Sequence, residues 1–563
     1  MSAALTPSYR RDLLLLTLLF GLLFGFRLGS YPLANPDEGR YAEIPREMAA
    51  TGDYITPRLN GVPYFEKPPL MYWLGAISIR CFGSSEWVMR AWPALFGLAG
   101  VLATYGTTRR LYGRDAGWWA AVVLGTSLLW FGLSRLLLLD MAVSFFIAGT
   151  LFAFIAALQE PPGRRRRLLF YALYACAACA TLTKGLIGFM LPGAVIFLWL
   201  LLLNQWSRLR PLYLPTGLVL FLAIAAPWHV LASLANHSAV KEQDFAWFYF
   251  VHEHFLRFTT TIHGRHQPWW FFVPILIFGL FPWVVFLPQA LRQMLAGGWA
   301  ARRERAPAWF FVFWAAFIFL FFSKSSSKLI PYILPVFPAV AALLGTFLAR
   351  TFAEGERKAL RVGVILFTVL CCLIVIAAWV ALSGRPEPQR LALLPYFSLL
   401  LLVLVAGSAA TLLVHARRGP HFAISQIALT AAAFSASMTY VIPEAQRAST
   451  KPLAEIYRPL AHPGDRLFQY RGFFHDFTFY TGRTVDLVDY HDELEVQFLT
   501  PAERAARFID EAEFRRRWAE PVPAYALGKK QDLAALFADK AFRYRLLGET
   551  REHCFFSNQS AAP

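Results

Sequence analysis

Two stretches of this chain place carboxylates, cations and tyrosines within a few residues of long apolar runs. The first reads N-P-D-E-G-R-Y-A-E-I-P-R-E-M from Asn35, continues as T-G-D-Y-I-T-P-R-L-N-G from Thr51, and ends in Y-F-E-K-P-P-L-M-Y-W from Tyr64. Asp37, Glu38, Arg40, Tyr41, Arg46, Tyr64, Glu66 and Lys67 fall in it. Cations of this kind can hold a phosphate. A nearby carboxylate can orient or deprotonate an acceptor, or neutralise an amino sugar. A solvated loop with ordinary ion pairs has the same composition.

The second stretch reads W-F-Y-F-V-H-E-H-F-L-R-F and supplies His252, Glu253, His254 and Arg257. If it is helical, Arg257 lies four residues after Glu253, so an ion pair competes with any phosphate role for Arg257. H-x-H is a poor metal motif, and a zinc site would need a ligand from elsewhere, with Glu66 a candidate. The histidines can equally face water on an interfacial helix. Asp140 closes R-L-L-L-L-D and opens the apolar M-A-V-S-F-F. An ionisable residue at a membrane boundary is a functional candidate, and it is equally suited to the first turn of the helix that follows. Lys184, in T-L-T-K-G, reads as a turn lysine. Lys324, Lys328 and Tyr332 come from S-K-S-S-S-K-L-I-P-Y, where the lysines can bind a lipid phosphate or snorkel to headgroups.

These residues must be positioned by membrane helices. The 563 residues are 57% hydrophobic and 16% charged, with a mean hydropathy of +0.45, whereas soluble domains are about a quarter charged. Thirteen apolar segments are expected to span, near 11–29, 88–108, 116–134, 140–158, 168–183, 186–204, 213–234, 268–290, 307–323, 332–350, 362–383, 391–414 and 422–442. Basic clusters at Arg109–Arg110, Arg164–Arg167, Arg208–Arg210, Arg302–Arg305, Arg357–Arg361 and Arg417–Arg418 then share one face, which the positive-inside rule makes cytoplasmic. The short run at 69–83 must lie along the membrane, since a crossing there would invert every later loop. The net charge of +18 thus sets topology and is no sign of a nucleic-acid partner.

The transmembrane region is expected over 1–442, with long periplasmic loops at about 30–87 and 235–267. Residues 443–563 read as a small soluble α/β domain in the periplasm. Its strand-like segments are Arg466–Tyr470, Phe477–Tyr480 and Ala524–Leu527, and its helix-like ones Ala502–Ile509 and Gln531–Ala538. The N-terminus is expected in the cytoplasm. The six cysteines give no disulfide framework or zinc knuckle.

P-D-E-G-R-Y-A-E-I-P-R-E-M, Y-F-E-K-P-P, the Asp140 loop, T-K-G and H-E-H-F-L-R-F together resemble, in order over about residues 10–340, the aminoarabinose transferases that modify lipid A. That family lies within the C-type membrane glycosyltransferases related to protein O-mannosyltransferases. The resemblance implies the C-type glycosyltransferase fold in the bacterial inner membrane. It implies a donor sugar on undecaprenyl phosphate, 4-amino-4-deoxy-L-arabinose, and a lipid A phosphate as acceptor. Asp37 and Asp140 match the family's catalytic acids. Lys67, Arg257 and Tyr332 match positions that hold the carrier phosphate, with Arg40, Tyr41 and Tyr64 beside them. Glu66 and His252 match positions where a family member can hold zinc. A transferase acting on a protein or glycan hydroxyl, and a lipid transporter, are the alternatives. A transporter would bury its ionisable residues at mid-bilayer, whereas these charges gather at one membrane face.

Overall fold

The computed structural model describes residues 7–238, 240–256, 267–445, 448–490 and 494–559. Each of the thirteen apolar segments is helical. Among the described residues, eight helices are long and apolar enough to cross a membrane, or up to nine if the pair Phe272–Gly279 and Trp283–Met294, bent by 100°, counts as one span. The other four fall short of that length and composition for visible reasons. Pro7–Gly25 carries Arg10, Arg11 and Asp12, and Arg164–Lys184 opens on four arginines. Arg114–Thr126 and Ile187–Leu203 are 13 and 17 residues long. The run expected along the membrane is a 13-residue helix, Leu70–Phe82.

The chain forms two compact units. The first comprises Met1–Leu28, Ala91–Pro227 and His254–Glu444. Its helices Leu139–Ala157 and Ile330–Glu354 are mostly buried, whereas Leu214–Ala235 and Arg357–Ser383 leave most of their apolar surface uncovered, as lipid-facing helices do. Small residues let helices meet closely: a Cβ on Gly345 would lie 2.2 Å from the Ala120 nitrogen. At one end Asp12, fully buried, accepts hydrogen bonds from Tyr105 Oη (2.8 Å), Arg109 (3.0 Å) and Arg114 (2.7 Å from both Nε and Nη2). Arg110 pairs with Glu160. The basic cluster at Arg109–Arg110, read as cytoplasmic, is therefore held by the chain's own acids.

The second unit comprises Gly29–Arg90, Trp228–Glu253 and Ala445–Pro563, so the first long loop and the second as far as Glu253 cluster with the C-terminal region. A short antiparallel pair, β1 (Arg58–Leu59) and β2 (Val62–Pro63), lies in the first loop. The C-terminal strands are β3 (Arg466–Tyr470), β4 (Asp486–Val488), β5 (Phe508–Ile509), β6 (Ala524–Lys529), β7 (Arg545–Glu549) and β8 (His553–Ser557). They form one sheet in the order β5-β4-β3-β6-β8-β7. The first four are parallel, and β8 runs antiparallel to both β6 and β7. Phe468, Phe514, Trp518 and Phe556 fill its core.

The expected strand at Phe477–Tyr480 is instead a helix, His475–Thr481, closed by Gly482 in the left-handed region. All four residues are buried, and a short run buried on every side has no period to tell strand from helix. The expected helix at Ala502–Ile509 stops at Arg507, because Phe508 and Ile509 pair with β4. It starts at a full capping box, Thr500 with Glu503.

The first loop is stitched to the C-terminal region. Asn35 Nδ2 donates to Asp476 Oδ1 (2.5 Å), and Asn35 Oδ1 accepts from the Asp476 amide (3.1 Å). Asn60 exchanges two hydrogen bonds with the Val485 backbone (2.9 and 2.8 Å). Tyr480 Oη accepts from the Leu33 amide at 2.8 Å and donates to Glu86 at 3.0 Å. Asp476, fully buried, also accepts from the Ser449 hydroxyl (2.9 Å) and from the Thr450 amide and hydroxyl (2.7 Å each).

Candidate active site

In the second unit, D-E-G-R-Y-A-E-I-P-R-E-M opens the helix Asp37–Thr51, and most of the motif secures that helix. Glu38 makes a bidentate pair with buried Arg90 (2.8 and 2.7 Å), and Arg90 also donates to the Tyr31 and Pro32 carbonyls. Gly39 lets the helix pass the Asp476 backbone, since a Cβ there would sit 2.6 Å from that nitrogen. Glu43 is bidentate with Arg46 (2.6 and 2.7 Å), and Glu47 accepts from the Gly61 amide at 2.9 Å. Asp37 alone among the motif's acids has a largely exposed carboxylate, 58% accessible, with Arg40 Nη1 at 3.4 Å.

Arg40 is itself buried and influences His475, Tyr64 and Tyr72. Burial, and secondarily the Arg40 charge, hold His475 well below the usual imidazole range. Tyr64, buried from Y-F-E-K, has a phenol raised mainly by burial and then by Glu66, with Arg40 opposing. Tyr72 lies in the same surroundings and stacks on Tyr41 with centroids 6.3 Å apart. Among the described residues, the buried Tyr64 and Tyr72 hydroxyls make no hydrogen bond. The sequence reading missed Tyr72, which lies in the same Y-F-E-K-P-P-L-M-Y-W run as Tyr64.

Lys67 is shared between the two loops. Its ammonium donates to the Glu66 carbonyl (2.7 Å) and lies 3.7 Å from the Glu66 carboxylate and 3.5 Å from Glu253. Glu253 sits in the π-helix Trp247–Leu256, with His252 Nδ1 3.6 Å from its other oxygen. The anticipated partner Arg257 lies outside the described residues, as does the side chain of His254. Glu495, from the turn after β4, joins this group. Its carboxyl is pushed up to about 7 by burial, further raised by Glu66 and Glu253 and lowered by His252. No sequence signal tied Glu495 to residues some 240 and 430 positions away.

Among the described residues no three His, Cys, Asp or Glu side chains are grouped as a metal site requires. Glu66 and His252 are two donors where a structural zinc takes four and a catalytic zinc three. The Glu66 carboxylate already has the Lys67 ammonium beside it, so these residues do not by themselves fit a zinc ion.

In the first unit, Asp140 stands in the first turn of the helix Leu139–Ala157, where the helix dipole favours a negative charge. Its carboxylate accepts from Lys184, the last residue of the helix Arg164–Lys184, and each side chain is 14% exposed. The Lys184 ammonium also lies over the Tyr332 ring, 4.8 Å from its centroid. Lys184 is therefore no simple turn lysine. The 21 residues from Arg164 to Lys184 span about 30 Å as a helix, so this triad lies a bilayer's thickness from the arginines that open the helix. Lys328 is buried and donates to the Gln267 and Ser325 carbonyls (2.9 and 2.5 Å), which makes it a loop clamp, whereas Lys324 is exposed.

Comparison with known proteins gives two family matches. Residues 66–231 match the family described as dolichyl-phosphate-mannose-protein mannosyltransferase, and residues 453–555 match the aminoarabinose transferase C-terminal domain. An undecaprenyl phosphate-alpha-4-amino-4-deoxy-L-arabinose arabinosyl transferase of Pseudomonas aeruginosa (strain UCBPP-PA14) is 34% identical over 406 residues, which is 72% of this chain and 71% of that protein. The namesake of Aeromonas salmonicida is 33% identical over 366 residues, 64% of this chain, and the match spans 65% of the relative's length. Two crystal structures of ArnT from Cupriavidus metallidurans are each 28% identical to this chain. The one bound to undecaprenyl phosphate superposes with a TM-score of 0.86 over 97% of this chain and 98% of its own, and the apo structure with 0.83 over 98% of each.

Proposed function

The chain belongs to the aminoarabinose transferase family, and we propose that it moves 4-amino-4-deoxy-L-arabinose from undecaprenyl phosphate to a phosphate of lipid A. The observation that carries this reading is the nearly full-length likeness to a transferase structure that holds undecaprenyl phosphate. The residue chemistry agrees with it. Attack on the anomeric carbon expels the lipid phosphate, a good leaving group whose developing charge cations stabilise. The acceptor phosphate is already ionised near neutral pH, so no strong general base is needed to make it a nucleophile.

In this reading Asp37 and Asp140 are the catalytic acids and position the sugar, including its ammonium group, rather than abstract a proton. Lys67, Arg257 and Tyr332 hold the carrier phosphate, with Arg40, Tyr41 and Tyr64 around it. Tyr64 supports its assignment with a hydroxyl that has hydrogen-bonding capacity to spare. Displacement is direct, with inversion at the anomeric carbon and no covalent intermediate. A product that kept the donor's configuration would overturn that step. Lipid A mass spectrometry tests the whole reading: a strain lacking the chain should gain aminoarabinose when the chain is restored. Sugar appearing on a protein or glycan hydroxyl instead would favour the other acceptor class.

The protein is a multi-span membrane protein. We further propose that the basic helix ends lie in the cytoplasm, with the N-terminus, and that both long loops and residues 443–563 form the periplasmic part in the bacterial inner membrane. The support is the one-sided placement of arginine clusters. A C-terminal alkaline phosphatase fusion should be active and a C-terminal cytoplasmic fluorescent reporter dark. The reverse pattern would mean that 69–83 crosses the membrane or that the spans are miscounted elsewhere.

A further inference from the structure

The turn Val496–Phe498 follows Glu495 and belongs to the C-terminal region, yet its last side chain reaches both long loops. Phe498 meets Phe65 edge to face, centroids 5.0 Å apart at 85°, and meets Phe248 in the same way at 5.4 Å and 87°. Phe65 immediately precedes Glu66 and Lys67. Phe248 stacks on His252, centroids 5.1 Å apart at 17°, one residue before Glu253. A single ring thus touches Phe65, next to Glu66 in the chain, and Phe248, which stacks on the neighbour of Glu253, on the two sides of the group in which Lys67 lies 3.5 Å from Glu253. On its far side Phe65 is held by Phe245 at 4.9 Å and 79°. Phe65 and Phe248 are buried to within 2%, so Phe498 is part of the packing that holds both rings. Edge-to-face pairs fix ring orientation as well as bury area.

We propose that Phe498 is a positioning residue for transfer: a wedge from the C-terminal region that sets the spacing of Lys67 and Glu253, and through it the site of the donor's phosphate. This rests on the reading that Lys67 meets that phosphate. It gives the C-terminal region a part in donor binding beyond the charge that Glu495 brings to the group. A phosphate-binding ammonium displaced by about an ångström loses its geometry, and misplacements of that size cost up to about a hundredfold in rate.

The test uses the full chain in lipid nanodiscs with a purified undecaprenyl-phosphate-linked sugar donor, normalised to folded protein. Phe498→Ala should raise the donor KM about tenfold or more, with a smaller fall in kcat. Phe498→Leu, which keeps apolar bulk, should recover part of the loss. Val496→Ala, in the same turn, should leave both constants near wild type. Hydrogen exchange should quicken in the peptides around Phe65 and Phe248 in the Phe498→Ala protein. An unchanged donor KM in Phe498→Ala overturns the proposal, as does an equal rise in Val496→Ala, which would mean general loosening. If Phe498→Ala does not fold, Phe498→Leu decides: a wild-type KM there overturns it. Lys67→Ala is the parallel arm. A normal donor KM in Lys67→Ala rejects the phosphate reading itself, whereas a defect there beside normal Phe498 variants rejects only the wedge.

Discussion

Asp140→Asn and Lys184→Met should each lower sugar transfer more than a hundredfold, and the double variant should fold well and remain inactive. The Asp140–Lys184 pair is nearly buried on both sides. Removing one partner of a buried pair strands the other charge, at a cost of up to about 3–5 kcal/mol in stability. Replacing both with uncharged groups of similar size returns most of that stability. If the pair only tied two helices together, activity would return with the fold. If Asp140 handles the donor sugar, transfer stays down by at least about 2.7 kcal/mol of activation free energy. The measurements are thermal unfolding in detergent and turnover per folded molecule. Recovery of turnover in the double variant would remove Asp140 from the catalytic set.

Lys67→Ala should slow transfer about ten- to a hundredfold, because a charge-assisted hydrogen bond to a partly desolvated phosphate contributes about 1.5–3 kcal/mol. Lys67→Arg keeps the charge but changes its shape, and should fall between alanine and wild type. The structure adds a control that charge counting would not supply. Lys67 also faces Glu253 at 3.5 Å, so its loss leaves like charges together. The Lys67→Ala/Glu253→Gln double variant relieves that repulsion. It should stay slow if the ammonium meets the phosphate, and should recover if Lys67 merely neutralises Glu253. Lys324→Ala, at an exposed helix end, should turn over like wild type.

The apolar segments were legible because lipid imposes one rule, length and hydrophobicity, that sequence carries locally. The acids of D-E-G-R-Y-A-E were legible as a group and not as individuals. Composition cannot say that Glu38 belongs to Arg90, 52 residues away, or that Glu47 caps the Gly61 amide. Only Asp37 is left exposed, and the resemblance, not the spacing, picked it out. Lys184 was misjudged because its partner lies 44 positions earlier. The Glu495–Phe498 turn was invisible for the same reason, since the contacts that tie it to the two loops are long-range. The helix at His475–Thr481 was misread because burial on every side erases periodicity.

If Asp37 acts as proposed, the interlock of Asn35 and Gly39 with His475 and Asp476 also bears on when the site is completed during biosynthesis. The helix bearing Asp37 emerges early, close behind the first apolar segment, but the surface it rests on is synthesised more than 400 residues later. At about 5–20 residues per second, tens of seconds separate the two. Throughout that interval the nascent chain carries the acid without its support, and the wedge at Phe498 arrives later still. On the proposed function, a chain stalled or clipped before residue 475 should therefore occupy the membrane without spending the carrier-linked sugar.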